Sequence, residues 1–224
     1  MKKIKFILSN FIGTVIAFLI IFLSAGRIGY WQGWIYISIC LMTTLASLLF
    51  MQIDAELINE RSKPGEGSKR WDKLILVISF FAFIIMSVIA GFDSGRFHWS
   101  PSFQVYWYII GIVLTFFGQI LFFVAQKQNK FFSSVVRIQT DRGHTVCDTG
   151  LYSMVRHPAY LSQVISTIGF PLLFGSLWSI IPSFIAISLL ILRTYLEDST
   201  LKKELEGYIE YSNKIRYKLI PGVW

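Results

Sequence analysis

Charge is scarce in this chain. Asp, Glu, Lys and Arg make up 15% of its 224 residues, against 54% apolar, where a soluble domain is nearer a quarter charged. That deficit excludes an ordinary soluble domain. Residues that ligate metals are also few: two Cys and three His. Cys40 lies inside an apolar run and Cys147 in a polar stretch, so the two sit at different depths and neither a disulfide nor a metal site is expected. His98, His144 and His157 lack the spacing of a helical zinc motif. No strand shows convincing alternation, and there is no G-x-G-x-x-G, no P-loop and no G-x-S-x-G. These absences exclude the common nucleotide folds and the serine-hydrolase elbow. A nucleotide-type cofactor would need a pocket of another build.

What the chain does have is apolar residues in blocks of about twenty, the length that crosses a bilayer core. Six spans are predicted, at 6–25, 31–51, 74–92, 105–125, 160–174 and 178–195. The fifth is short and contains Pro171, which removes a helical hydrogen bond. Only Gly175-Ser176-Leu177 separates it from the sixth, so the last two spans form a tight antiparallel hairpin. The expected fold is an all-α membrane protein of about six transmembrane helices, one domain over 1–224. Four N-terminal spans (1–125) precede a loop, hairpin and tail (126–224). The start, Met1-Lys2-Lys3-Ile4-Lys5 before a long apolar run, reads as an uncleaved signal anchor, the run being longer than a typical signal-peptide core.

The net charge of +8 follows topology rather than nucleic-acid binding. With the N-terminus inside, every Lys and Arg except Arg27 and Arg96 falls in a cytoplasmic segment, which places both termini in the cytoplasm. A bacterial cell membrane is the expected location. Trp31, Trp34, Trp99, Trp107 and Trp178 lie near span ends, as interfacial anchors do. The tail over 196–211 is charge-rich with Leu201, Leu205 and Tyr208 at helical spacing, and reads as an amphipathic cytoplasmic extension of the last span. The stretch 58–70, with Pro64-Gly65-Glu66-Gly67-Ser68, reads as a mobile loop. Gly111 and Gly118, seven apart on one face of the fourth span, permit close helix approach. Packing within one chain is the simpler use of them, so a monomer or weak homo-oligomer is expected.

Polar side chains at the lip of a membrane helix are costly and tend to have a task. Two clusters flank the final hairpin. One is Gly150-Leu151-Tyr152-Ser153-Met154-Val155-Arg156-His157-Pro158-Ala159-Tyr160; the other is Arg193-Thr194-Tyr195-Leu196-Glu197-Asp198. Pro158 suits the first turn of a helix, which puts Arg156 and His157 beside free N–H groups that favour an anion. The plainer reading has Arg156 reaching lipid phosphates and His157 capping the helix. Glu197 and Asp198 stand where the helix dipole disfavours negative charge, so one of them has reason to face inward, to a ribose diol or to Arg156. Arg193, one turn before Glu197, either pairs with it or anchors an anionic head group.

In their order and spacing these residues resemble the isoprenylcysteine carboxyl methyltransferase family, taken broadly to include bacterial integral-membrane relatives and phospholipid N-methyltransferases. The resemblance covers 126 to the C-terminus. It rests on His144-Thr145-Val146-Cys147, Gly150-Leu151-Tyr152, Arg156-His157-Pro158-Ala159-Tyr160, Arg193 with Glu197-Asp198, Gly207-Tyr208-Ile209-Glu210-Tyr211 and Lys218-Leu219-Ile220-Pro221-Gly222. Departures are Asp198, where the family usually has Glu, and Leu151, where many bacterial relatives have Pro. The resemblance implies an S-adenosylmethionine pocket lined by His144, Thr145, Val146, Cys147, Tyr152, Arg156, His157, Pro158, Ala159, Tyr160, Glu197 and Asp198. It implies that Arg193 faces the methyl acceptor and orients its carboxylate through a bidentate fork. The acceptor would be a lipophilic small molecule or a prenylated or lipid substrate in contact with membrane lipid; no nucleic acid and no metal is expected. Competing readings are a phospholipid amine N-methyltransferase, a sterol-reductase-like enzyme and a lipid-binding or transport protein.

Overall fold

The computed structural model describes residues 2–50, Leu57, Glu60, Arg61 and 66–224, with only the backbone of 2–10 and Phe50. Among these residues every regular element is helical: α1 (Lys2–Ala25), α2 (Trp31–Phe50), α3 (Arg70–Ala90), α4 (Val105–Gln128), α5 (Pro158–Phe174), α6 (Ile180–Glu204) and the short α7 (Tyr208–Lys214). Among the described residues, four segments are long and apolar enough to cross a membrane: Trp31–Leu49, Arg70–Phe97, Val105–Gln128 and Ile180–Glu204. The apolar helices Phe11–Ala25 and Pro158–Phe174 are shorter. The helices turn apolar side chains outward, among them Leu23, Leu49, Val77, Val105 and Phe184. In water such surface would drive association; in a bilayer it is the solvated face.

Close packing of α4 on α5 sets the frame. A Cβ on Gly111 would stand 2.2 Å from the backbone N of Leu173, and one on Gly118 would stand 2.7 Å from the carbonyl of Ser162. The pair of glycines therefore serves contact within the chain. Beside this seam Ile21 of α1, Tyr30 of the turn after it, Tyr36 of α2 and Ala90 of α3 pack with Phe170, Leu173 and Phe174. Helix α5 starts with Pro158 after His157 and keeps Pro171 in its last turn. It stops at Gly175, whose φ of 64° is left-handed and whose N–H bonds back to Leu172, the usual glycine stop.

The two ends of the bundle differ. At one, α3 runs on into a π-helical turn, Gly91–Phe97. There the fully buried Asp93 accepts from Ser100 N and Oγ, both at 2.6 Å, and from Ser176 Oγ at 2.6 Å. This knot ties the entry of α4 to the α5–α6 turn, and the exposed Trp31, Trp99, Trp107 and Trp178 lie at the same end. The opposite, basic end carries the loop between α4 and α5 and the C-terminal tail.

The tail departs from the expected continuous amphipathic helix over 196–211. Helix α6 ends at Glu204, Leu205 is extended, and Gly207 at φ 78° turns the chain into α7. Leu205, Tyr208 and Tyr211 are buried against Ile138 and Val146 of the loop. The apolar residues at helical spacing thus cover protein rather than lipid. Of the stretch 58–70, residues 58–59 and 62–65 lie outside the described residues; Glu60 and Arg61 are helical, and Glu60 is buried.

Candidate active site

Between the loop, the start of α5, the end of α6 and the tail lies a cavity of about 330 Å³, within the range of small-molecule sites. The hairpin explains the convergence. Helices α5 and α6 are antiparallel, so the first turn of one and the last turns of the other reach the same level. His144, Thr145, Val146, Cys147, Tyr152, Arg156, His157, Ala159, Tyr160, Arg193 and Glu197 all line the cavity. Pro158 begins α5 and Asp198 faces Arg156; neither is on the wall.

Its rear wall is layered. The His157 ring stacks on Tyr160, centroids 5.8 Å apart and planes within 14°, and the Arg193 guanidinium lies 5.2 Å from the Tyr160 centroid. The Tyr160 hydroxyl donates to Oε2 of Glu197, while Oε1 of Glu197 accepts nothing among the described residues. Burial raises the phenols of Tyr152, Tyr208 and Tyr211 above their ordinary value, so these groups remain protonated donors at neutral pH. The Tyr211 hydroxyl donates to the Tyr152 carbonyl at 2.7 Å, which holds the tail over the cavity.

Asp198 is the second acid. It accepts from Arg156 Nε at 2.7 Å and Nη2 at 3.2 Å, and from the Tyr208 hydroxyl at 3.1 Å. Arg156 Nη1 donates to the carbonyls of Ile215 at 2.6 Å and Arg216 at 2.9 Å. Arg156 thereby divides its donors between Asp198 and the tail, and the anion it holds belongs to the protein. Of the two uses open to the acids, Asp198 takes the pairing with Arg156 and Glu197 faces the cavity.

Arg193 is held differently from either sequence reading. Its Nε and Nη2 donate to Asp72 of α3 at 2.7 and 3.2 Å, so the bidentate fork expected for an acceptor is filled by a protein carboxylate. Nη1 makes no hydrogen bond among the described residues. Asp72 is fully buried and also accepts from Val136 N at 2.7 Å, which fixes the loop. Asp72 was invisible as a partner in the sequence because it lies 121 positions from Arg193. Glu60 and Arg137 went unnoticed for the same reason. Arg137 donates to both Glu60 oxygens, at 2.9 and 2.7 Å, and to Asp141 at 2.8 Å, fastening the loop to Glu60. Arg61 also reaches the cavity wall.

His144 Nδ1 accepts from Gln139 N at 3.2 Å, and its ring lies 4.6 Å from that of Phe131. An accepting Nδ1 leaves the proton on Nε2. Burial, and then the charges of Arg137 and Arg142, push its pKa from 6.5 down to about 4. The sign of the consequence is fixed. Above 6.5 the docked and undocked loop bind protons equally. As pH falls below 6.5 the undocked form gains a proton that the docked form refuses until about 4. Docking, and any ligand affinity that depends on it, should weaken across that window. Ligand titrations from pH 7.5 to 4.5 should show a shallower loss in His144→Gln; identical slopes would remove His144 as the cause.

Two apolar crevices adjoin the cavity from the membrane side. One, of about 390 Å³, is lined by Ala17, Tyr36, Gly118 and Phe123, and shares Phe122 and Gln163 with the cavity. The other, of about 240 Å³, runs past Met86, Phe170 and Leu190 and again includes Gln163. A chamber of mixed polar and apolar lining thus meets more apolar clefts within the helical bundle.

Comparison with known families finds a match over the hairpin region. Residues 101–203, a little under half the chain, match the model of the isoprenylcysteine carboxyl methyltransferase family. The match takes in α4, the loop, α5 and most of α6, and leaves Arg61, Asp72 and the tail outside. No curated protein matches the chain.

Proposed function

We propose that this chain, whose segment 101–203 belongs to the isoprenylcysteine carboxyl methyltransferase family, moves a methyl group from S-adenosylmethionine to a lipophilic carboxylate at the cytoplasmic face of the membrane. Family membership and the apolar helices make it a membrane methyltransferase. The donor, the acceptor and the face are the proposal. The observation that carries it is the cavity itself. It has an acidic group with an unfilled oxygen, a stacked aromatic wall and a covering tail at the level where apolar crevices open.

The donor set suits S-adenosylmethionine. Glu197 Oε1 would accept from a ribose diol, the Nε2–H of His144 is a donor, and Tyr152 and Val146 on the wall would flank an adenine and a sulfonium. That group, when bound, supplies an electrophilic methyl on a good leaving group. The protein's own residues then have to align and exclude water. Tyr208 and Tyr211 close the cavity. A carboxylate acceptor is ionised at neutral pH and needs no base, whereas an amine must first lose a proton. Arg193 presents Nη1 to the acceptor, and the crevices beside Gln163 receive its apolar chain.

Calorimetric titration of detergent-purified protein with S-adenosylmethionine and S-adenosylhomocysteine tests this. Micromolar binding is expected. Glu197→Ala should weaken it by roughly 10- to 100-fold, the worth of a hydrogen bond to a charged group, and His157→Ala, which removes the ring stacked on Tyr160, should weaken it as well. No binding at millimolar cofactor by folded protein would discard the reading, and a nicotinamide titration would then examine a reductase. With binding established, a methylation rate that climbs steeply with pH would move the acceptor from carboxylate to amine.

A further inference from the structure

Four guanidinium groups line the cavity: Arg61, Arg137, Arg156 and Arg193. Three are neutralised by carboxylates of the chain: Arg137 by Glu60 and Asp141, Arg156 by Asp198, and Arg193 by Asp72. Arg61 has no carboxylate partner among the described residues. Its guanidinium carbon lies 5.1 Å from the ring centroid of Phe132 and 5.9 Å from that of Phe122. Its own carbonyl accepts from Ser134 Oγ at 3.1 Å, and the neighbouring Glu60 is clamped by Arg137, so the residue is held at the wall.

Energetics leave this charge incompletely compensated. Removing an ion from water costs several kcal/mol even after relaxation, whereas a cation against aromatic faces recovers about 0.5–2 kcal/mol. Arg193 is close enough to add repulsion. Burial, followed by Arg193, pushes the Arg61 pKa down to about 10, which keeps it charged at neutral pH. Arg61 is half-buried, and a cation partly withdrawn from water with no carboxylate beside it takes an anion when one is offered. The position indicates what carries that anion. Phe122, on which Arg61 lies, belongs both to the cavity that holds the charged groups and to the apolar crevice between the helices. An oxyanion at Arg61 would have its apolar chain in the crevice.

We propose that Arg61 receives the anionic head group of a lipophilic acceptor and sets the preference of the cavity for oxyanions over neutral or cationic heads. The inference rests on the methyltransferase reading of the same cavity. It adds a specificity residue from the α2–α3 connection, outside the segment that matches the family. Carboxylate and phosphate heads share the needed chemistry, and the test separates them.

Four probes with one chain and different heads, farnesoic acid, farnesyl phosphate, farnesol and farnesylamine, would be titrated into the full-length protein in neutral detergent with S-adenosylhomocysteine present. Wild-type protein should bind the acid at least about tenfold more tightly than the alcohol, with the amine weakest. Arg61→Gln should erase the gap between acid and alcohol, and Arg61→Lys should keep part of it. Unchanged S-adenosylhomocysteine affinity shows that both variants are folded. A phosphate preferred over the acid, with the same dependence on Arg61, supports the proposal and assigns a lipid phosphate. Equal binding of acid and alcohol by wild type, no binding of the acid at millimolar concentration, or an acid preference that survives Arg61→Gln each overturns it. If wild type ignores S-adenosylhomocysteine yet keeps an Arg61-dependent acid preference, the methyltransferase reading fails and Arg61 stands as an anion receptor.

Discussion

Asp198→Ala should release the C-terminal tail and empty the cavity of its cover. Arg156 and Asp198 have side chains only 3% and 4% exposed, so the pair belongs with buried ion pairs and not with surface ones, which are worth little. Removing one member leaves the other charge stranded, at about 3–5 kcal/mol. The loss is directed at the tail. Arg156 reaches the Ile215 and Arg216 carbonyls through its side chain, its own N–H donates to Tyr217 and that of His157 to Lys218. Asp198 also takes the Tyr208 hydroxyl. Limited trypsin digestion in detergent should therefore cut after Lys214, Arg216 and Lys218 much faster in the variant. Cofactor affinity should fall with it, because Tyr208 and Tyr211 leave the wall. Asp198→Asn keeps an acceptor for the guanidinium and should lie between the two. A tail protected as in wild type would show that the latch lies elsewhere.

The second large effect concerns Asp72 and Arg193, whose side chains are 0% and 10% exposed. Asp72→Ala and Arg193→Ala should each destabilise by about 3–5 kcal/mol, since each strands its partner. In Asp72→Leu/Arg193→Met no charge is stranded. Apolar replacement of a whole buried pair is often neutral or better, so the double variant should recover most of the loss. The N–H of Val136, which also uses Asp72, would remain orphaned at about 1–3 kcal/mol. Thermal unfolding of wild type and the three variants reads this recovery. Methyl transfer is the discriminating readout. If Arg193 presents Nη1 to the acceptor, the double variant folds and binds cofactor but does not methylate. Recovery of methylation together with stability would reduce Arg193 to a strut between α3, the loop and α6.

These pairs mark where reading the chain stopped. That one of Glu197 and Asp198 faces inward followed from their adjacency on one helix, but nothing local decided which one, or that the other would pair with Arg156. The tail shows a different limit. Leu201, Leu205 and Tyr208 carry helical spacing, and spacing is blind to whether the covered surface is lipid or protein. The break at Leu205 and Gly207 depends on the loop residues Ile138 and Val146 being there to receive the tail. For Gly111 and Gly118 the pattern sufficed to predict close approach, and the partner turned out to be α5 of the same chain.

The sequence by itself determined the apolar segments, the closing hairpin and the meeting of residues 144–160 with 193–197. These are local consequences: apolar runs bury their own backbone hydrogen bonds in helices, and a short turn between Phe174 and Ile180 returns one helix end to the level of the other. Only the tertiary structure decided which acid neutralises which guanidinium, and hence that Arg61 is left without one among the described residues. A charged side chain carries no label for its partner. The match depends on which helices become neighbours, and α3 comes to α6 across more than a hundred residues of chain.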